Sequence, residues 1–490
     1  MNLKCVIAAA VATLFMACAI ASAENAATQP TLISMITRSD LADADIRFEK
    51  AYMAHPPLGD AERARVHQAY DQAVFLYYQT RHAEAIQAVN ELTDSLTAAS
   101  ADAKVIHSLQ VRVAPPVARR TRPGPLRIRV SRMYAVPMNG PLDLRLVIRS
   151  DAPESKTVLD VPVRIDPDGP PFTLTRAQPE SAIGRYLIEL IGPDGTRYPA
   201  GRWSVIEVPL DSTRITNERR LSMLRPTTAE TTQAVVACRS RNTLMSDARD
   251  ENNPAQFLAD PIVLSHDVQS EVEWLSMGKD PYFRRPGDIW RAILAGGMEI
   301  PSRVYAPPQV QQQPPDNPKP LPLVIALHEG GGDESTFMQF IGDGRLKKLA
   351  EEKGFILVTP NVNWVARNIT ALDSIVEAMS VIYPVDSSRV YVIGHGTGAL
   401  AAIDMAAKQP SKVTKLVLFS AGDFSNASRL PPTLLYAGEV DPLFPPDLAQ
   451  AALKQAQAEH LPVELKMQKA AGHCLIVRDS LDEAVDWLLK

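Results

Sequence analysis

Four short segments in the last third of the chain carry residues able to do chemistry. They are His328-Glu329-Gly330-Gly331-Gly332, Gly394-His395-Gly396-Thr397-Gly398, Gly438-Glu439-Val440-Asp441-Pro442 and Gly472-His473. Imidazole and carboxylate are the side chains of proton transfer, and they are also the common nitrogen and oxygen ligands of metals. His328, His395 and His473, with Asp441 and Glu329, would suit zinc, which generates its own water nucleophile. Their spacing matches no metal-ligand signature.

These segments can meet only if the elements before them bring them to one place. Residues 286–490 alternate between short apolar runs and helical stretches. Ile289–Leu294, Ala295-Gly296-Gly297 and Glu299–Tyr305 read as a β-hairpin, followed by a loop with seven Pro between Pro307 and Pro322. Leu323–Leu327 is continuously apolar, the mark of a strand buried on both faces. Phe355–Thr359, Val390–Ile393, Leu416–Phe419, Thr433–Ala437 and Val463–Gln468 follow as strands. This order predicts an α/β fold, a doubly wound, mostly parallel sheet with helices on both faces. Ligands bind such sheets at the carboxyl ends of the strands, and each of the four segments follows a strand.

Taken in order, HxGGG, GxxxG opening the small-residue helix Ala399–Ala407, a late Asp and a terminal His resemble the α/β-hydrolase superfamily. The resemblance spans 286–490 and is to secreted esterases, polyester depolymerases and feruloyl esterases, with dipeptidyl-type peptidases as relatives. It implies Asp441 as the acid and His473 as the base of a triad. Thr397 and Glu329 or Gly330 would supply the backbone N–H groups of the oxyanion hole, and Gly394 and Gly398 would be the elbow glycines. It also accounts for the histidines without a metal, and it implies no cofactor.

The resemblance fails at one position. The nucleophile stands in the middle of the elbow, and here that residue is Gly396, which has no side chain to attack a carbonyl. Loss of the nucleophile removes on the order of 10⁶ in rate from a serine hydrolase. Glu329 stands where the family has glycine, and a carboxylate turned inward would oppose a developing oxyanion. Thr397, Ser420 and Cys474 are the candidate replacement nucleophiles. A hydroxyl restored at 396 is expected to rebuild the triad without moving anything else. The loop 361–372 is short, so an open site is expected.

Three functions compete. The first is a binding or pseudo-hydrolase protein, taking a small-molecule ester or peptide-like ligand. The second is an active carboxylic-ester or peptide hydrolase working through a substitute nucleophile or activated water. The third is an interaction scaffold built on the N-terminal modules.

Residues 24–111 read as a helical hairpin region. Val66, Tyr70, Ala73, Val74 and Tyr77 recur at helical spacing, then Ile86, Val89, Thr93 and Leu96. Tyr77–Leu96 resembles the joint of one tetratricopeptide-type hairpin. A solenoid needs about three such units, so a hairpin packed on a neighbour is the better reading. Residues 112–210 switch to period two, with Leu126, Ile128 and Val130 and then Leu142, Leu144 and Leu146, which predicts a β-sandwich. Residues 211–285 read as a helical connector.

Met1–Lys4, the apolar run Cys5–Ile20 and Ala21-Ser22-Ala23 read as a signal peptide, cleaved near Ala23-Glu24. A secreted or periplasmic protein is expected, with no transmembrane segment after signal removal. Cys238 and Cys474 would remain, as one disulfide or as two thiols. Lys+Arg 51 against Asp+Glu 56 gives a net charge of −5 over 490 residues, which offers no footprint for nucleic acid.

Overall fold

Strands that read as continuous apolar runs must be covered on both faces and paired on both edges. The computed structural model describes residues 35–312, 314, 318–368 and 370–490, and it assembles those runs into one eight-stranded sheet. The strands are β1 (Gly287–Ala295), β2 (Met298–Ala306), β3 (Leu321–Leu327), β4 (Ile356–Pro360), β5 (Val385–His395), β6 (Lys415–Phe419), β7 (Thr433–Gly438) and β8 (Val463–Gln468). Their spatial order is 1-2-4-3-5-6-7-8. The β1–β2 hairpin is antiparallel, β2 runs antiparallel to β4, and β3 to β8 are mutually parallel. The expected signal peptide, 1–23, lies outside the described residues.

Alternation along each strand makes two cores. Leu323, Ile325 and Leu327 share one with Val390, Val392, Leu416 and Leu418, while Val324 and Ala326 share the other with Tyr391, Ile393, Val417 and Phe419. The connector helices Leu210–Met223, Ala229–Thr243 and Pro261–Ser276 contribute Leu221, Cys238, Val268 and Val272 to the first core. They form a layer on the sheet and leave Cys238 buried. Cys238 and Cys474 are both free thiols, which settles the disulfide alternative.

Before these helices, a three-stranded and a five-stranded sheet enclose a common core that includes Leu126, Leu146, Tyr186 and the fully buried Trp203. Among the described residues, no helix is long and apolar enough to cross a membrane.

The N-terminal region contains α1 (Arg38–Ala54), α2 (Asp60–Tyr78) and α3 (His82–Thr97). Helix α1 lies in the stretch read as helical, although its own bounds are not singled out there. Ala44, Phe48 and Tyr52 of α1, Val66 and Ala73 of α2, and Ile86, Val89 and Leu92 of α3 share a core with Leu475, far along the chain. Polar contacts tie the same helices to the large sheet. Arg38 pairs with Asp333 at 2.6 Å, and Glu49 with Arg478 at 2.8 Å. The Tyr78 hydroxyl donates to the Gly330 carbonyl. His67 Nδ1 accepts from the Gly472 N–H at 3.0 Å. The Asp71 carboxylate accepts from the N–H groups of His473 (2.7 Å) and Cys474 (3.0 Å).

The open site expected from the short 361–372 loop is therefore corrected. A cover is supplied by helices that lie some 400 residues earlier in sequence than the loop they grip.

Asp71→Ala should leave two buried N–H groups without their acceptor, at about 1–3 kcal/mol. A lower Tm by calorimetry is expected. An unchanged Tm would mean that the helices do not hold this loop.

Candidate active site

Strand β5 passes into α4 (Thr397–Lys408) through a single residue, Gly396, with φ 54° and ψ −119°. The corner is tight because strand and helix cross without side chains between them. A Cβ on Gly394 would lie 2.5 Å from the Gly398 carbonyl oxygen and 2.6 Å from the Ala399 Cα. A Cβ on Gly398 would run into the Leu327 and His328 carbonyls. The two glycines thus do what an elbow requires of them.

The residue at the tip faces a crowded space. A Cβ built on Gly396 would stand 3.5 Å from His473 Nε2, 3.7 Å from Glu329 Oε2 and 3.1 Å from Glu329 Cβ. The Glu329 carboxylate therefore points inward, and it occupies the volume in front of position 396. This corrects the expectation that a hydroxyl could be restored there without moving anything. The Glu329 Cβ is held by backbone and cannot swing aside as a side-chain tip could.

The acid and base meet. His473 Nδ1 lies 3.0 and 3.1 Å from the two Asp441 oxygens. Asp441 Oδ1 also accepts from the N–H groups of Leu443 and Phe444, each at 2.8 Å, so the carboxylate is fixed from behind. On its other side, His473 Nε2 is 3.5 Å from Glu329 Oε2. One imidazole stands between two carboxylates.

Burial disfavours the His473 imidazolium, but the hydrogen bonds and charges of Asp441 and Glu329 outweigh it and push the group up to about 10. Burial raises both carboxyls, yet His395 and His473 hold Glu329, and His473 with the Phe444 N–H holds Asp441, below the usual carboxylate range. Burial pushes His395 down, against the Glu329 charge. At neutral pH His473 carries its proton between two anions. A base that is already protonated cannot accept a proton from an attacking group.

The oxyanion elements lie side by side. Thr397 opens α4, and its side chain is 3.7 Å from where a Gly330 Cβ would be. Glu329 adds a negative charge at that place, where donors are wanted.

The replacement nucleophiles do not reach the tip. Thr397 is exposed on the helix. Ser420 is buried and donates its hydroxyl to the His473 carbonyl at 3.1 Å. Burial, with the Glu329 and Asp71 charges, pushes the Cys474 thiol well above its usual value, so it stays protonated. Its sulfur is 3.8 Å from Glu329 Oε1.

His328 belongs to a different arrangement from the other two histidines. Nδ1 donates to the Glu329 carbonyl at 2.8 Å, and Nε2 accepts from the Val362 N–H at 3.0 Å. Both ring nitrogens are engaged, so the set His328, His395 and His473 does not form. Instead Glu329, His395 and His473 place ligand atoms within 4.8 Å of one another.

A cavity of about 160 Å³ lies over this group, lined by Tyr70, Tyr77, Tyr78, Glu329, His395 and Cys474 among others. Sequence reasoning missed the contribution of α2 to this site. A signal was present, since His67 and Asp71 are four apart and share one helix face. Nothing local says which surface that face meets.

No protein-family model and no curated protein sequence matches the chain. Solved structures similar to part of it include hydrolases and esterases. The Staphylococcus aureus fluorophosphonate-binding serine hydrolase F, substrate bound, is 19% identical and covers 42% of this chain and 100% of its own, with a TM-score of 0.35. A thermostable esterase is 12% identical over 78% of this chain and 98% of its own, TM-score 0.36. Thermogutta terrifontis esterase 2, phosphoramylated by tabun, is 16% identical over 42% of this chain and 94% of its own, TM-score 0.33. The α/β-hydrolase-like fold rests on the strand order and the elbow geometry, not on these scores.

Proposed function

We propose that this is an exported binding protein built on an α/β-hydrolase-like scaffold, without serine catalysis. One observation carries the reading: the Glu329 carboxylate fills the space in front of Gly396 and faces His473 Nε2 at 3.5 Å. A missing hydroxyl alone would leave a gap beside a waiting base. Here the gap is filled by a counter-ion to that base.

The ligand would enter the cavity beneath α1 and α2. At about 160 Å³ it is smaller than the roughly 300–1,000 Å³ of an ordinary small-molecule site, and would take only a small group, such as the tip of a short ester or peptide-like ligand. Phenol rings of Tyr70, Tyr77 and Tyr78 give it apolar walls with polar edges. Export rests on the composition of residues 1–23. N-terminal sequencing should find the mature chain starting near Glu24, and recovery of the intact chain in the cytoplasm would overturn export.

Purified protein should not hydrolyse short p-nitrophenyl esters above background, and no residue should be labelled by a fluorophosphonate. Ester turnover by the wild type that is abolished in His473→Ala would overturn the reading.

Gly396→Ser alone should add nothing measurable, because its Cβ meets Glu329 and the base is already occupied. Gly396→Ser with Glu329→Gly frees the tip and His473 together. A gain on the order of 10²-fold is expected, below the roughly 10⁶ that a complete triad contributes. Equal activity of the single and double variants would show that Glu329 is not the block.

A further inference from the structure

The spacing at the centre of the site is unusual for an ion pair. His473 Nε2 and Glu329 Oε2 are 3.5 Å apart, while a charge-assisted N–H···O bond is about 2.7–2.9 Å. His395 Nε2 is 3.9 Å from the same oxygen. Bonds of about 2.0–2.1 Å at tetrahedral angles put two ligands of one zinc ion roughly 3.3–3.4 Å apart. Glu329 Oε2 thus stands 3.5 and 3.9 Å from the two imidazole nitrogens, and the three ligand atoms lie within 4.8 Å of one another, somewhat wider than ligands already closed on one cation.

We propose that Glu329, His395 and His473 bind one divalent transition-metal ion of the zinc or cobalt class, with a coordination position open to the cavity beneath α1 and α2.

Three further features fit the site. First, a metal-bound histidine commonly gives its other ring nitrogen to a carboxylate, and His473 Nδ1 is held by Asp441 at 3.0 Å. Asp441 is in turn fixed by two backbone N–H groups, so the supporting layer is built. Second, His395 Nε2 would have to give up the hydrogen bond it donates to the His473 carbonyl, and that carbonyl would still have a partner. The ring nitrogen lies 3.0 Å from the His473 carbonyl, which keeps the Ser420 hydroxyl at 3.1 Å. Third, the donors are two imidazoles and one carboxylate, a set that leaves room for an exogenous ligand. Glu329 and His395 both line the cavity, so that room faces the ligand's entry side.

The ion would displace the proton on His473 Nε2, as metal binding to histidine does. It would supply Lewis-acid chemistry toward a carbonyl or carboxylate oxygen entering the cavity. Glu329 then acts as a metal-binding carboxylate, in the place where the nucleophile is absent. Because a metal-bound water could itself hydrolyse an activated ester, the ester assay above is read on chelator-stripped protein, so that failure of the metal site and failure of the ester reading are told apart.

The test uses the untagged full-length mature protein, stripped with a chelator and titrated with Zn²⁺ by calorimetry and with Co²⁺ by visible absorption. One equivalent of each is expected, with a ligand-field band for cobalt. Glu329→Gln and His395→Gln should each weaken Zn²⁺ binding by more than about 100-fold, and Asp441→Asn by about 10–100-fold. His266→Gln, at a side chain 83% exposed and far along the chain from the site, should bind as the wild type does. Absence of a cobalt band in the wild type would overturn the site, as would wild-type affinity in Glu329→Gln. The cobalt spectrum decides even if His395→Gln fails to fold.

Discussion

The inward carboxylate of Glu329 constrains everything around it. It sits where a nucleophile's side chain would project, so position 396 accepts a Cβ only against a 3.1 Å contact. It faces the base, so His473 holds a proton it would otherwise exchange. It also places a negative charge beside Thr397 and Gly330, where an oxyanion would need donors. A single side chain thereby touches three places that a serine hydrolase keeps separate: the nucleophile position, the base and the oxyanion loop. The same residue, flanked by two imidazoles, gives the site a different capacity: a converging set of nitrogen and oxygen donors.

Holding that arrangement requires a rigid loop around His473. In the structure the rigidity comes from outside the sheet. Asp71 gathers two consecutive backbone N–H groups, His67 takes a third, and Tyr78 fixes the Gly330 carbonyl. Both halves of the site, the loop after β3 and the loop after β8, are thus clamped by one helix. Buried polar networks of this kind are stable only when every member is paired. Leu475, next along the chain from the loop after β8, shares an apolar core with Phe48, Tyr52 and Val66.

Much of the C-terminal half was legible because its signals are local. A continuous apolar run such as Leu323–Leu327 can only be a buried element, and glycines at 394 and 398 can only mean a close crossing. The resemblance to α/β-hydrolases, carried by the chain order of the loops, then paired Asp441 with His473. The direction of Glu329 was not legible. Its neighbours Gly330–Gly332 permit many backbone paths, and the choice is made by His328, which holds the Glu329 carbonyl and the Val362 N–H at once. The bounds of helix α1 were not legible within the helical region because its buried face includes Ser39, Asp40 and Glu49, polar residues that periodicity counts as exposed.

The sequence by itself determined the parallel sheet, the corner at Gly396, the absence of a nucleophile there and the pairing of Asp441 with His473. The sheet follows from residue type and period along the chain, and the corner, the missing nucleophile and the pair follow from the resemblance that the four segments carry in their order. Only the tertiary structure decided that Glu329 fills the site, that His395 joins it while His328 does not, and that α1 and α2 cover it. Those outcomes depend on contacts between residues hundreds of positions apart, such as Asp71 with His473. Such contacts form because buried N–H groups and carboxylates must find partners wherever the packed layers bring them, and no local pattern encodes which partner that is.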